Sequence, residues 1–195
     1  MCGRYYVDDN TAKEIERLLQ KLDNRLKVAH KSGDVYPTNS AMIVKGENEK
    51  LILDEMIWGF PQYQKKGVIF NTRSESALEK KTFSNSTRSR RCLIPAKGFY
   101  EWDSVKNKIS FERQDGDTML LAGIWNNFGL DRRFTILTTD ANETMHQIHD
   151  RMPLIIEPEE AETWLFDESC VEFMLNKIPC NLAIVEGNYQ QKLDL

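Results

Sequence analysis

A chain of 195 residues, 41% hydrophobic and 29% charged, has the make-up of a globular protein able to bury a substantial core. No apolar run approaches the roughly 20 residues of a membrane helix, and Met-Cys-Gly-Arg-Tyr-Tyr at the start lacks the apolar stretch of a secretory signal, so the cytoplasm is the expected compartment. Net charge is −4, yet residues 80–113 carry nine cations against three anions while residues 140–195 carry twelve acids against three cations; the asymmetry fits one electropositive face, although on charge alone merely solvated faces are the favoured reading.

In chain order, Asn10 to Lys27 predicts an amphipathic helix, with Ile15, Leu18, Leu19 and Leu22 on one stripe behind capping candidates Asp9 and Asn10. Tyr36-Pro37-Thr38-Asn39 reads as a turn. Ala41–Val44 and Leu51–Trp58 read as strands around Gly46-Glu47-Asn48-Glu49, and Val68–Phe70 as a short strand ending at Asn71. Arg73 to Glu79 suits a brief helix. Arg91–Ile94, Gly98–Trp102, Ile109–Arg113, Met119–Trp125 and Phe134–Thr138 continue a strand-rich middle. Asp140 with Glu143 resembles a capping box opening a helix through Ile148; Leu154–Ile156 is a further strand. Pro158 suits the first turn of a helix through Phe166, and Ser169 is placed to cap another through Lys177. The expected fold is α+β, one domain over residues 1–195, with a curved, barrel-like, mainly antiparallel β core and helices at both ends.

Four cysteines stand at 2, 92, 170 and 180 with no CxxC pair, which speaks against a structural zinc site. Cys92, Cys170 and Cys180 read as small buried hydrophobes. Cys2 differs by position. Removal of Met1 by the cell's aminopeptidase leaves an α-amine and a thiol on adjacent carbons. Such an amine has an ordinary pKa of about 7.7–8, so part of it is neutral at physiological pH. It can attack an aldehyde to form an imine, which the thiol then closes into a five-membered thiazolidine. An internal cysteine cannot do this, because its nitrogen is an amide.

Five segments occur in order: Met-Cys-Gly-Arg-Tyr at the start, Trp58-Gly59-Phe60, Asn71-Thr72-Arg73-Ser74-Glu75, Gly98-Phe99-Tyr100-Glu101-Trp102 and His149-Asp150-Arg151-Met152-Pro153-Leu154. Together they resemble the SRAP family, SOS response-associated peptidases regarded as abasic-site processing proteins, from residue 2 to about residue 165. The resemblance implies a DNA-damage protein that binds single-stranded DNA and joins Cys2 to the ring-opened abasic-site aldehyde as a thiazolidine. It further implies Glu101 and His149 as active-site groups, with Asn71 and Arg73 holding the sugar and flanking phosphates. Arg4 and the Pro37 turn would line the DNA channel, Trp58 and Phe60 would help splay the strand, and Lys81 stands where an arginine is common. Histidine suits protonation of the sugar ring oxygen near neutral pH, and a carboxylate such as Glu101 suits proton removal from the Cys2 ammonium. Arginine suits bidentate phosphate contact, and asparagine can bond a hydroxyl without adding charge.

Simpler roles exist for the same residues. Glu101 could be an ion-pair partner of Arg73 or Arg151, His149 a helix C-terminal histidine, and Asn71 a helix cap. Alternative activities are a β-elimination lyase through the same imine, a cysteine-dependent peptidase whose content is removal of Met1, and a noncatalytic single-strand binder. No cofactor or metal is implied; the expected state is a monomer in the cytoplasm, nucleoid-associated on damage, with no membrane partner.

Overall fold

The computed structural model describes residues 2–20 and 32–185. Its elements in chain order are β1 (Tyr5–Val7), α1 (Asp9–Gln20), β2 (Gly33–Val35), β3 (Ser40–Glu47), β4 (Lys50–Trp58), β5 (Phe60–Pro61), β6 (Val68–Ile69), β7 (Asn71–Arg73), α2 (Ser84–Ser89), β8 (Arg91–Ala96), β9 (Gly98–Trp102), β10 (Lys108–Arg113), β11 (Met119–Phe128), β12 (Asp131–Asp140), α3 (Glu143–His146), β13 (Arg151–Pro153), β14 (Ile155–Ile156), α4 (Ala161–Phe166), α5 (Val171–Leu175) and β15 (Leu182–Val185).

Strands β3, β4, β8, β11 and β12 close into a ring. β4 pairs β3, β3 pairs β8, β8 pairs β11 and β11 pairs β12, all antiparallel. β12 then returns to β4 through a short parallel contact, Arg133 with Ile57 and Phe134 with Trp58. Closure leaves no open edge on these strands. A second sheet runs β15-β10-β9-β1-β2, antiparallel throughout. The α+β class with a barrel-like, mainly antiparallel core therefore holds.

The hydrophobic pattern explains the layering. β8 is buried at every position, and alternate residues serve different cores. Cys92, Ile94 and Leu121 join Tyr5, Phe99 and Phe111 in the cluster shared with the second sheet. Leu93, Leu120 and Ala122 join Trp164, Val171 and Met174 in the cluster under α4 and α5. Residues near the start of the chain are thus packed into the protein's interior.

Several local expectations shift. α1 spans Asp9–Gln20, and the rest of the expected helix lies outside the described residues. The β3–β4 connection narrows to Asn48 and Glu49, both left-handed at φ 50° and 59°, the conformation of a two-residue hairpin turn whose twist matches the strands. Residues 73–79 yield only a 3-10 turn at Ser74–Ser76. α3 is capped by Asn142, whose side chain accepts from the Met145 amide at 2.9 Å; Asp140 instead ends β12. Ser169 does not cap α5, which begins at Val171 behind Cys170. α2, Ser-Asn-Ser-Thr-Arg-Ser, carries no apolar period and escapes a pattern reading.

What holds α2 is Arg91. Its guanidinium is buried and donates to the carbonyls of Thr87 and Leu165 at 3.3 Å and to those of Arg88 and Trp164. One cation thereby satisfies the last-turn carbonyls of α2 and α4 together, where the helix dipoles favour positive charge.

Candidate active site

Cys2 enters the fold just ahead of β1. The Tyr100 amide donates to Arg4 O at 3.0 Å, and Tyr5 pairs with Phe99. Continuing that antiparallel register places Gly3 opposite Glu101, so Cys2 arrives beside the Glu101 end of β9. Cys2 is fully buried and Glu101 is 3% exposed. Burial, and then the Glu101 carboxylate, push the Cys2 thiol up to about 12. The thiol donates to Arg4 O at 3.7 Å.

Asn71, on β7, fixes the Cys2 backbone: its Nδ2 donates to Cys2 O at 2.8 Å. β7 reaches this point by pairing in parallel with β12, Asn71 with Ile136 and Arg73 with Thr138. Asn71 therefore bonds Cys2 rather than capping a helix. Among the described residues, buried Asn71 Oδ1, Tyr5 Oη and Thr138 Oγ1 have no hydrogen-bond partner in the protein. Unused polar capacity of this kind in a native interior calls for a partner or a function.

β12 also brings in the histidine segment. Thr138 pairs with Pro153 of β13 as well as with Arg73, so residues 149–153 share the end of β12 that carries Asn71 and Arg73. Arg151, just 11% exposed, bonds Glu75 Oε2 at 2.8 Å, Asp140 Oδ1 at 2.6 Å and Thr138 O at 2.7 Å. It thus ties the segment to the turn after β7. His149 Nδ1 accepts from the Arg151 amide at 2.9 Å, and its own amide donates to Met145 O.

Arg4 forms an ion pair with Asp34 and lies between two rings, its guanidinium carbon 4.7 Å from the Tyr36 centroid and 5.1 Å from that of Tyr100. Lys108 Nζ covers Tyr100 at 3.7 Å. The Pro37 turn is clipped to β4 by Thr38 N to Trp58 O at 2.8 Å and Trp58 N to Asn39 O at 2.9 Å. Arg73 and Lys81 are exposed. Asp34, Tyr36, Tyr100 and the Tyr5 hydroxyl escaped the sequence reading, since strand pairing alone brings them to these partners. Trp102, 40% exposed at the end of β9, is an open aromatic beside Glu101 that only its place in a motif singled out.

Two expectations need correction. Trp58 and Phe60 are fully buried and present no ring to a DNA base. Trp58 packs on Tyr5 at 5.3 Å and Phe134 at 6.3 Å and donates to Phe70 O at 2.8 Å, supporting the site from behind; Phe60 packs on Phe128 and Phe83. Gly59 between them holds φ +112°, where an added Cβ would strike Val68 at 2.6 Å, so this bend admits only glycine without strain. The basic count over residues 80–113 likewise overstates an open cationic face, because Arg91 is buried, Lys97 pairs with Glu112 and Arg113 with Asp115 and Glu157. Of the other cysteines, Cys92 is buried, Cys170 is partly so and Cys180 is exposed. Among the described residues no cluster of three or more His, Cys, Asp or Glu is placed to hold a metal ion, and no helix is long and apolar enough to cross a membrane.

The profile of the family described as SOS response associated peptidase (SRAP) matches residues 1–183. Abasic site processing protein YoqW of Bacillus subtilis is 31% identical over 181 residues, covering 85% of this chain and 80% of its own. Abasic site processing protein YedK of Escherichia coli is 26% identical over 179 residues, covering 86% and 81%. The crystal structure of a phage-related protein from Bordetella bronchiseptica shares the fold, with a TM-score of 0.77, 21% identity and 95% of each chain covered. A match that takes in Cys2, Asn71, Glu101 and His149 and runs almost the length of the chain places this protein in the SRAP family.

Proposed function

We propose that this protein processes abasic sites in single-stranded DNA by capturing them covalently on Cys2. The observation that carries the reading is the setting of that residue. Cys2 is wholly buried, its carbonyl is held by Asn71 and its thiol lies in the field of Glu101. Relatives over most of the chain are named for abasic site processing.

The chemistry follows from the groups at hand. With Met1 removed, Glu101 accepts a proton from the Cys2 ammonium, and the amine attacks the aldehyde carbon of the ring-opened sugar. The carbinolamine loses water to give an imine. The thiol then adds to the imine carbon while its proton passes to nitrogen, closing the thiazolidine. One C–N and one C–S bond replace the C=O, and one water leaves. The order follows from the chemistry itself: the imine carbon exists only after the amine has attacked, so the sulfur acts second and intramolecularly. β-Elimination from the imine, a lyase activity, shares the first step.

On this reading His149 borders the sugar, Asn71 and Arg73 hold the sugar and flanking phosphates, Arg4 and Lys81 line the DNA channel, and the monomer works without cofactor or metal. The test is a denaturing gel of Met1-processed protein with a single-stranded oligonucleotide carrying one abasic site. A shifted band that requires both Cys2 and the abasic site is expected. No shifted band, with Cys2 verified as the first residue, overturns the reading.

A further inference from the structure

Tyr5 carries a hydroxyl that the fold does not use. β1 is buried at Tyr5 and Val7 and half-open at Tyr6, and Tyr5 is 1% exposed. Among the described residues its Oη has no hydrogen-bond partner. A phenylalanine would fill the same place and spare the cost of a stranded hydroxyl, so the oxygen points to a partner that arrives with the chemistry. Its surroundings say which. The Tyr5 ring packs on Trp58 at 5.3 Å, and the Trp58 indole donates to Phe70 O at 2.8 Å. The next residue, Asn71, holds Cys2 O at 2.8 Å. Tyr5 and Cys2, three residues apart, are thus braced by one framework and belong to one buried cluster. Burial, and after it the charge of a Cys2 thiolate, keep the Tyr5 hydroxyl protonated. The phenol is therefore a standing O–H donor within electrostatic reach of the Cys2 sulfur.

The sulfur needs such a donor at one step. In the resting site the thiol donates to Arg4 O at 3.7 Å. When it adds to the imine carbon, its proton passes to nitrogen and negative charge gathers on sulfur, in a setting where burial and Glu101 oppose a thiolate. The bond to Arg4 O ends with the S–H bond, and a carbonyl cannot donate in return. We propose that the Tyr5 hydroxyl is the hydrogen-bond donor to the Cys2 sulfur as the thiazolidine closes. This rests on the reading that Cys2 captures the lesion, and it adds a residue to that site. The C–S bond forms, the C=N π pair moves to nitrogen, the S–H proton follows it, and Tyr5 keeps its own proton. Because it serves the second step alone, the hydroxyl sets how much imine closes and how much is lost to β-elimination.

Tyr5→Phe keeps the ring on Trp58 and removes only the oxygen. Its thermal melt is expected no lower than that of the wild type, because an unpaired hydroxyl is shed. A lower melt would show the oxygen paired inside the fold and overturn the proposal. With a single-stranded abasic oligonucleotide, matched aliquots quenched with and without borohydride count imine plus thiazolidine and thiazolidine alone. Imine should appear at the wild-type rate, while closure slows about tenfold or more, the scale of one hydrogen bond to a charged acceptor. Cleaved strand should rise as closure falls. Closure at the wild-type rate, or imine and thiazolidine slowed together, overturns the proposal. A second reading needs no DNA. Iodoacetamide labelling of Cys2 at pH 8 draws on the same sulfur charge, and Tyr5→Phe should slow it by about fivefold with Cys180 unchanged. Equal or faster labelling of Cys2 overturns the donor role. A wild type that forms no crosslink would sink the proposed function, yet the labelling would still decide whether Tyr5 serves the sulfur.

Discussion

Chemical labelling of Cys2 probes the site without any DNA. Burial and the Glu101 charge push its thiol from an ordinary 9.0 up to about 12. At pH 8 a thiol titrating at 9.0 is about one-tenth ionised, and one titrating at 12 about one part in ten thousand, so a thiolate-dependent alkylation should slow about a thousandfold on folding. Full burial adds a steric barrier on top. Iodoacetamide labelling at pH 8, followed peptide by peptide by mass spectrometry in buffer and in urea, reads the ratio directly. Cys180, exposed, serves as the internal control. Glu101→Gln should speed labelling of Cys2 and leave Cys92 unchanged, because burial alone raises the Cys92 thiol. Labelling of native Cys2 as fast as Cys180 would refute the reasoning.

Alkali should destabilise the protein in a defined window. A thiol raised in the folded state contributes stability fully below pH 9 and loses it as pH rises towards 12, at about 1.4 kcal/mol per unit for Cys2 alone; urea midpoints between pH 8 and 10.5 should fall, and less steeply in Cys2→Ala. Arg91→Met strands the buried carbonyls of Thr87, Trp164 and Leu165. At about 1 kcal/mol or more apiece the loss is about 3 kcal/mol, a Tm drop of roughly 6–12 °C in a thermal melt, with a shift under 2 °C counting against the capping role. Gly98→Ala would bring a Cβ within 2.5 Å of Phe111 O and 2.6 Å of the Tyr6 hydroxyl, so β9 must move; a cost of about 1–3 kcal/mol in urea titration is expected, and an unchanged midpoint would contradict the packing. Asn71→Ala should cost only about 1 kcal/mol of stability but slow crosslinking by more than tenfold, because it releases the Cys2 carbonyl; equal rates would remove Asn71 from the site.

Legibility in the sequence differs from element to element. Strands β8, β9 and β11 were legible because each carries an apolar or aromatic run, Cys92–Ile94, Phe99–Tyr100 and Met119–Trp125, separated by polar or glycine-containing stretches. Which strands would close the barrel-like core was not, since closure runs through a two-residue parallel contact between β4 and β12, which leaves no periodic trace. α2 was missed because its stability comes from Arg91 and from burial of Ser86 and Thr87, not from an apolar stripe. At the site, the chemical logic of an amine and a thiol on Cys2 could be read from position alone, and the motifs supplied Asn71, Glu101 and His149. The errors were of exposure. A Trp-Gly-Phe motif looks the same to a sequence reader whether its rings meet DNA or Tyr5 and Phe128, and a run of cations looks the same whether Arg91 is solvated or capping two helices.

The measurement closest to the central claim is peptide mass spectrometry of Met1-processed protein after incubation with an abasic oligonucleotide and nuclease digestion. Covalent capture predicts that the amino-terminal peptide gains the mass of the abasic deoxyribose fragment less one water, with the adduct on Cys2, unaltered by borohydride, and absent from Cys2→Ala. An adduct on a lysine, one that borohydride must reduce to survive, or an unmodified amino-terminal peptide in a sample with Cys2 first would contradict it.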